Sequence, residues 1–248
     1  MSLAGRRALV TGGGTGLGAS LARGLAAAGA EVIVCGRRPD PLDALAAATP
    51  GVRAITADVT DAAQVAALYR DAGRVDIVVA NAGAARSAPL HRTSLELWHE
   101  MIGANLTGAF LALRDGYAQL RGAEWGRLIT IASTAGLRGY AYVSAYTAAK
   151  HCAVGLTRAI AAEVQGSGIT ANALCPGYLD TEMTDRTLDN IVATTGRTRQ
   201  QAIDALAADN PQGRLIDPDE VTRVALALCM PGREHVNGAA IEIDGSEW

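Results

Sequence analysis

Residues 146–150 read YTAAK, and the lysine that ends them is the only one in 248 residues: of 22 Lys and Arg positions, 21 are arginine. The two cations differ in kind. Arginine is a planar fork that keeps its charge, while lysine is a compact ammonium whose pKa shifts readily and which can take part in proton transfer. Four residues apart on a helix, Tyr146 and Lys150 stand one turn apart on one face. A free phenol has a pKa near ~10, too high for a base at neutral pH. A neighbouring positive charge favours the phenolate and lowers that value, each unit corresponding to about 1.4 kcal/mol. The pair reads as an acid/base device.

A second chemistry lies in VTGGGTGLGAS, residues 10–20. Gly12, Gly16 and Gly18 fit a G-x-x-x-G-x-G spacing, while Gly14, Gly16 and Ala19 fit G-x-G-x-x-A, with Thr15 and Leu17 between them. Between a strand and a helix, such glycines allow a tight turn and let the backbone approach a pyrophosphate seated on the helix N-terminus. An NAD site usually carries an acidic residue about twenty positions further on, for the ribose 2′-hydroxyl. Here the second strand ends CGRR, with Gly36 in the acid's place and Arg37 and Arg38 following. A guanidinium pairs well with a 2′-phosphate. The expectation is NADP(H), with NAD(H) as the alternative.

The elements that must position these groups alternate. Strand-like runs fall at 6–11, 31–35, 52–57, 75–80, 126–133, 169–175 and 239–244. Continuous apolar runs of this length suit strands buried on both faces of a parallel sheet. Helical patterns separate them. Thr93 with Glu96 predicts a capping box opening one long helix to about Tyr117, residues 144–166 predict another, and Asp217-Pro218 opens the last, to about Cys229. This is a doubly wound α/β pattern forming one domain, 1–248. Residues 183–214 interrupt it. Leu188, Ile191 and Val192 share a helical face there, and Thr198 with Gln201 caps a second helix carrying Ile203 and Leu206. The segment is either a surface hairpin or a substrate lid. The lid is favoured, because it follows the carboxyl end of strand six, where ligands bind in open α/β sheets.

Composition excludes several classes. The net charge of −3 without a basic block argues against nucleic acid or an anionic membrane as partner. No apolar run is long enough to span a bilayer and the amino-terminal pattern is not that of a signal peptide, so a soluble, cytoplasmic protein is expected. Cys35, Cys152, Cys175 and Cys229 form no Cys-x-x-Cys pair and read as reduced core thiols; with His91 and His99 eight apart, no metal is expected.

Several motifs now stand in order on matching elements: Thr11-Gly12-x-x-x-Gly16-x-Gly18, Asp58, the NAG of 81–83, Asn105, Ser133, Tyr146-x-x-x-Lys150 and the PGYLDT of 176–181. Together they resemble the short-chain dehydrogenase/reductase family over essentially the whole chain. One departure is Ala80, where that family often has asparagine. The resemblance implies a Rossmann-type, seven-stranded parallel sheet with helices on both faces. It implies Tyr146 as general acid in carbonyl reduction and general base in alcohol oxidation, with Ser133 on the substrate oxygen. Lys150 would hold the nicotinamide ribose, and Asn105 would seat a water that relays protons. Asp58 and Val59 would flank the adenine; Asn81, Ala82 and Gly83 would meet the adenosine ribose and backbone; Pro176, Gly177, Leu179 and Thr181 would meet the carboxamide. Plainer readings stand beside these: a strand-end cap for Asp58, a turn for Asn81, a helix cap for Thr181.

The expected activity is an NADP(H)-dependent transfer of hydride between nicotinamide and a ketone or secondary alcohol. An NAD-dependent 3-hydroxyacyl-CoA or alicyclic alcohol dehydrogenase is the alternative, and a non-catalytic nucleotide-binding relative stands behind both. The substrate wall is expected to include Ser133, Thr134, Leu137, Tyr140, Tyr142, Val143, Tyr178 and Met183, a lining suited to an acyl-chain, alicyclic or aromatic ketone. Arg138, Arg186, Arg197 and Arg199 are open between contacts to CoA or carrier phosphates and ordinary surface charge. Packing of the helices near 95–120 and 144–166 against a twin, giving a homotetramer, is implied by the resemblance alone.

Overall fold

The apolar runs become the middle strands of a sheet covered on both sides. A computed structural model describes residues 2–246. Its strands are β1 (Arg7–Thr11), β2 (Glu31–Gly36), β3 (Val52–Thr56), β4 (Ile77–Ala80), β5 (Gly126–Ile131), β6 (Ile169–Pro176) and β7 (Ala240–Ile243). They pair in the order β3-β2-β1-β4-β5-β6-β7, every neighbour parallel. β4, β5 and β6 are buried along their whole length, whereas the edge strands β3 and β7 are only partly covered. β4 is accordingly an unbroken apolar run, while β5 and β6 bury polar side chains too, with Thr130 Oγ1 on Thr157 Oγ1 at 2.7 Å and Asn172 Nδ2 donating to Val236 O at 2.8 Å.

The helices are α1 (Gly16–Ala27), α2 (Pro39–Ala48), α3 (Ala62–Ala72), α4 (Leu95–Ile102), α5 (Gly108–Leu120), α6 (Ser144–Glu163), α7 (Glu182–Thr195), α8 (Arg199–Ala208) and α9 (Pro218–Cys229). α1 and α9 share one face of the sheet, where Ser20 bonds Asp219 and Thr222, each at 2.6 Å. α3, α5 and α6 cover the other face with Tyr69, Leu111, Leu113 and Ile160. The order reverses at β1 and β4, so the carboxyl ends of these two strands open the crevice where a ligand is expected.

Three expectations change. The long helix after residue 93 is broken by a π turn at Gly103–Thr107, which separates α4 from α5. Its cap is Ser94, whose Oγ accepts from Leu97 N at 3.2 Å, while Thr93 donates to Pro89 O instead. Cys152 is exposed on α6, unlike the three other, buried cysteines, because it lies on the face of α6 turned away from the sheet.

The segment after β6 forms α7 and α8, and Leu188, Ala202 and Leu206 make a small core between them, flanked by Tyr178, Ile191, Val192 and Ile203. Both ends of the segment are stitched. Ile216 N donates to Tyr178 O and Asp180 N to Ile216 O, each at 2.9 Å. The buried amide of Asn210 closes the gap: Nδ2 donates to Tyr178 O and Arg214 O at 3.0 and 2.7 Å, and Oδ1 accepts from Tyr178 N at 3.0 Å.

Gly18 shows how tightly α1 is seated: a Cβ there would lie 2.1 Å from Gly12 O. Gly18→Ala is therefore expected to lower the urea midpoint of unfolding and to weaken dinucleotide binding. Gly139→Ala, where a Cβ meets nothing within 4 Å, should change neither.

Candidate active site

The glycine loop is a cradle made by missing side chains. Gly12 and Gly16 hold φ of +62° and +50°, a region that favours glycine. A Cβ on Gly12 would stand 2.9 Å from Ala82 Cα, and one on Gly13 would stand 2.6 Å from Val34 Cβ. Thr15 is the N-cap of α1 but makes no side-chain cap, and the first turn carries no acid. The leading amides thus remain available to an anion, where the helix dipole also favours one. These features fit a pyrophosphate, with the residues from Gly12 to Gly18, including Gly14 and Leu17, forming the wall.

Thr11 and Asn81 join the two strands at the reversal. Thr11 Oγ1 accepts from Asn81 N and Ala82 N at 3.0 and 2.9 Å. Asn81 Nδ2 donates to Thr11 O and Gly12 O at 2.9 and 3.2 Å. Much of the Asn81 amide therefore holds the cradle's shape, close to the turn reading. Asp58 Oδ1 accepts from Thr60 N and Oγ1 at 2.9 and 2.8 Å, and Val59 is buried against Gly108. Arg37 is exposed at the end of β2, with no ion pair among the described residues. Arg38 faces Glu182 of α7 across 3.8 Å. A Cβ on Gly16 would approach Thr181 to 3.3 Å, which brings the N-cap of α7 over the glycine loop. Thr181 makes no side-chain cap.

The candidate catalytic residues of the sequence reading lie beside the same crevice. Gly83 follows the Asn81 turn, and a Cβ on it would meet Asn105 Oδ1 at 2.6 Å and Lys150 Nζ at 3.8 Å. Asn105 sits in the π turn and bonds Ala84 in both directions: Nδ2 to Ala84 O at 2.8 Å, and Ala84 N to Oδ1 at 3.2 Å. Lys150 is only 5% exposed, and its Nζ donates to Ile131 O at 2.8 Å. The same Nζ lies 5.6 Å from the centre of the Tyr146 ring. Ser133 caps the short turn Thr134–Gly136, its Oγ accepting from Ala135 N at 3.1 Å. Gly136 lets that turn lie on α6, since a Cβ would be 2.8 Å from Lys150 O.

Burial decides the electrostatics. It pushes the Tyr146 phenol above its ordinary 10.0, with the Ser133 hydroxyl working the other way. The lowering expected from Lys150 together with the positive nicotinamide of an oxidised cofactor is a matter for the complex; in the protein by itself, desolvation of a phenolate outweighs what its neighbours return. Burial also brings Lys150 down, to about 8.

The residues named for the substrate wall are placed as follows. Tyr140 donates to Thr134 Oγ1 at 2.9 Å, and its ring meets that of Tyr178 edge to face at 6.4 Å. Leu137 packs on Ala132, Val154 and Cys175. Met183 lies half-buried in the first turn of α7. Tyr142 is 65% exposed, with φ of +67°, and Val143 is half-buried at the start of α6. Pro176 is buried at the end of β6. Gly177 has no room for a Cβ, which would lie 2.1 Å from Asn210 Oδ1, and Leu179 bridges to Ile216. Of the four open arginines, Arg138 and Arg199 are bound to carboxylates, while Arg186 and Arg197 are exposed. Thr11 was named only as the opening residue of the glycine motif, without its bracing of Asn81 and Ala82, and Asn210 was not named. Asn210 carries only a following proline to mark it.

A lysine with folded pKa about 8 against an ordinary 10.5 binds fewer protons than the unfolded chain between those values. Stability should therefore rise with pH across that window, by roughly 3 kcal/mol in total. Urea titrations of the wild type and of Lys150→Met should show the wild type gaining on the variant between pH 8 and 10.5.

The family model described as short chain dehydrogenase matches residues 6–192. The chain is 38% identical to the uncharacterized oxidoreductase YxjF of Bacillus subtilis, over 96% of each chain. It is 37% identical to a D-beta-hydroxybutyrate dehydrogenase of Cupriavidus necator, over 98% of each. Among solved structures, a single-substitution variant of actinorhodin polyketide ketoreductase with NADPH superposes with a TM-score of 0.90 at 33% identity, covering 97% of this chain and 96% of that one. With the glycine cradle, the Ser133–Tyr146–Lys150 grouping and a match along nearly the whole length, this chain belongs to the short chain dehydrogenase family.

Proposed function

We propose that the protein is an NADP(H)-dependent oxidoreductase that interconverts a ketone and a secondary alcohol, with Tyr146 as its general acid and base. One observation carries this reading. A continuous set of contacts runs from the glycine cradle through Asn81, Gly83 and Asn105 to Lys150, which stands one helical turn from Tyr146. The bound nicotinamide supplies the hydride acceptor or donor.

The chain's own groups handle the proton. The Tyr146 phenol, raised by burial, holds its proton at neutral pH and is ready to donate it to a carbonyl oxygen. Ser133, against that phenol, donates a hydrogen bond to the same oxygen as charge develops on it. In alcohol oxidation the phenol must first release its proton, and the Lys150 ammonium 5.6 Å from the ring centre favours the resulting phenolate. Asn105 in the π turn supports a proton path beyond Lys150. A lysine is required there because its small head fits beside Ile131 O and Gly83, where a guanidinium would not.

Arg37 supports the choice of NADP(H): it is an exposed cation at the end of β2, where an acid would otherwise repel a 2′-phosphate. Relatives named as a hydroxybutyrate dehydrogenase and a polyketide ketoreductase support a 3-oxoacyl or cyclic ketone as substrate. Exposed Leu95, Trp98 and Phe110 on α4 and α5 support pairing with a second copy in a homotetramer.

Tyr146→Phe should fold and bind NADPH yet lose turnover by about 10²–10⁴-fold in an assay of nicotinamide absorbance. Retained turnover removes Tyr146 from the role. Arg37→Ala should raise the KM for NADPH by roughly tenfold or more and leave that for NADH unchanged, the range expected for one charge-assisted hydrogen bond. Equal effects on both cofactors would overturn the choice of NADP(H).

A further inference from the structure

We infer that Glu182, the first residue of α7, is a cofactor-specificity residue: its carboxylate competes with the 2′-phosphate of NADP(H) for the Arg38 guanidinium, and so weakens NADP(H) but not NAD(H). The inference rests on the NADP(H) reading proposed above and deepens it. Three pieces of chain converge at this corner. The glycine loop is tied to the end of β2, with Gly13 N donating to Cys35 O at 3.1 Å. The start of α2 lies against the same loop, since a Cβ on Gly14 would stand 3.3 Å from Leu42 N. α7 reaches it from the end of β6. A Cβ on Gly16 would stand 3.3 Å from Thr181 Cβ, and the next residue, Glu182, brings Oε2 to 3.8 Å from Arg38 Nη2. Gly36 leaves β2 without the acid that would meet a ribose 2′-hydroxyl. Among the described residues, the carboxylate that does reach these arginines comes from α7.

The two cations at the end of β2 therefore differ. Arg37 is exposed and makes no ion pair among the described residues, so it is ready for a phosphate. Arg38 is the N-cap of α2, with an extended backbone (φ −100°, ψ 115°), and its guanidinium already faces Glu182. The side chains of that pair are 64% and 55% exposed, so water screens it and it is weak. A phosphate, which can take two parallel hydrogen bonds from a guanidinium, wins the arginine. The carboxylate it displaces stays on the first turn of α7, beside the phosphate. NADP(H) thus binds against the loss of one ion pair, whereas the 2′-hydroxyl of NAD(H) leaves the pair in place.

A second role for Glu182 makes a different demand. With Asp185 it places acid in the first turn of α7, where the helix dipole favours negative charge. That contribution acts on the stability of α7 and touches both cofactors alike. Competition for Arg38 acts on the 2′-phosphorylated cofactor alone, and only while Arg38 is present.

The test is the Kd of NADPH and of NADH, by calorimetric titration, for the wild type, Glu182→Gln, Arg38→Ala and the double variant. Glu182→Gln should tighten NADPH about threefold, the scale of an exposed ion pair, and leave NADH unmoved. In the Arg38→Ala background the same substitution should bring no gain, because there is no pair left to break. No gain, a gain equal for both cofactors, or a gain that persists without Arg38 would each overturn the inference; in those cases Arg38→Ala still weakens NADPH and the cofactor reading stands. Failure of the cofactor reading itself looks different. The wild type then binds NADH as tightly as NADPH, Arg38→Ala leaves that ratio unchanged, and the inference falls with it.

Discussion

A buried ammonium organises this protein. Lys150 has given up nearly all its water and keeps one hydrogen bond, to the carbonyl of Ile131 at the end of β5. That single contact locks α6 to the sheet at the point where Ser133 leaves it. It fixes the height of Tyr146 one turn earlier, and Gly136 must remain without a side chain so that the Ser133 turn can rest on the lysine's own carbonyl. Burying a charge is unfavourable, and the fold retains it 5.6 Å from the centre of the Tyr146 ring.

Around that fixed point, absence of side chains does as much as their presence. Gly12, Gly16 and Gly18 leave space at the end of β1, and Gly83 leaves space between Asn105 and Lys150. Thr11 and Asn81 cross-brace the two strands whose divergence opens the crevice. The result is a braced glycine floor on one side and the Ser133–Tyr146–Lys150 grouping on the other, joined through only a few residues. The aromatic pair Tyr140 and Tyr178 then closes the third side.

Much of this was legible in the sequence, for physical reasons. The central strands are covered on both faces, so their runs are mostly apolar and easy to recognise. The catalytic spacing is local, four residues on one helix. What stayed hidden depends on distance or on burial. The π turn at Gly103–Thr107 looks like any helical segment, and Thr93 and Ser94 are both competent caps. The partners of Arg138 lie 104 and 106 residues away, so no local pattern could separate it from the surface arginines. The direction of the Tyr146 shift depends on how much water the fold removes, which spacing does not report.

The stitched ends of the segment after β6 bear on how such a molecule diversifies. Asn210 and the Tyr178–Ile216 exchange close the loop at its base, and Leu188, Ala202 and Leu206 give α7 and α8 a core of their own, while Glu182 and Asn190 touch Arg38 and Ser87 outside it. Among the described residues, the strand ends, the Thr11–Asn81 brace and the Lys150 contact to Ile131 draw no hydrogen bond from α7 or α8. The lining of that segment can therefore vary on a core separate from the one that seats Lys150.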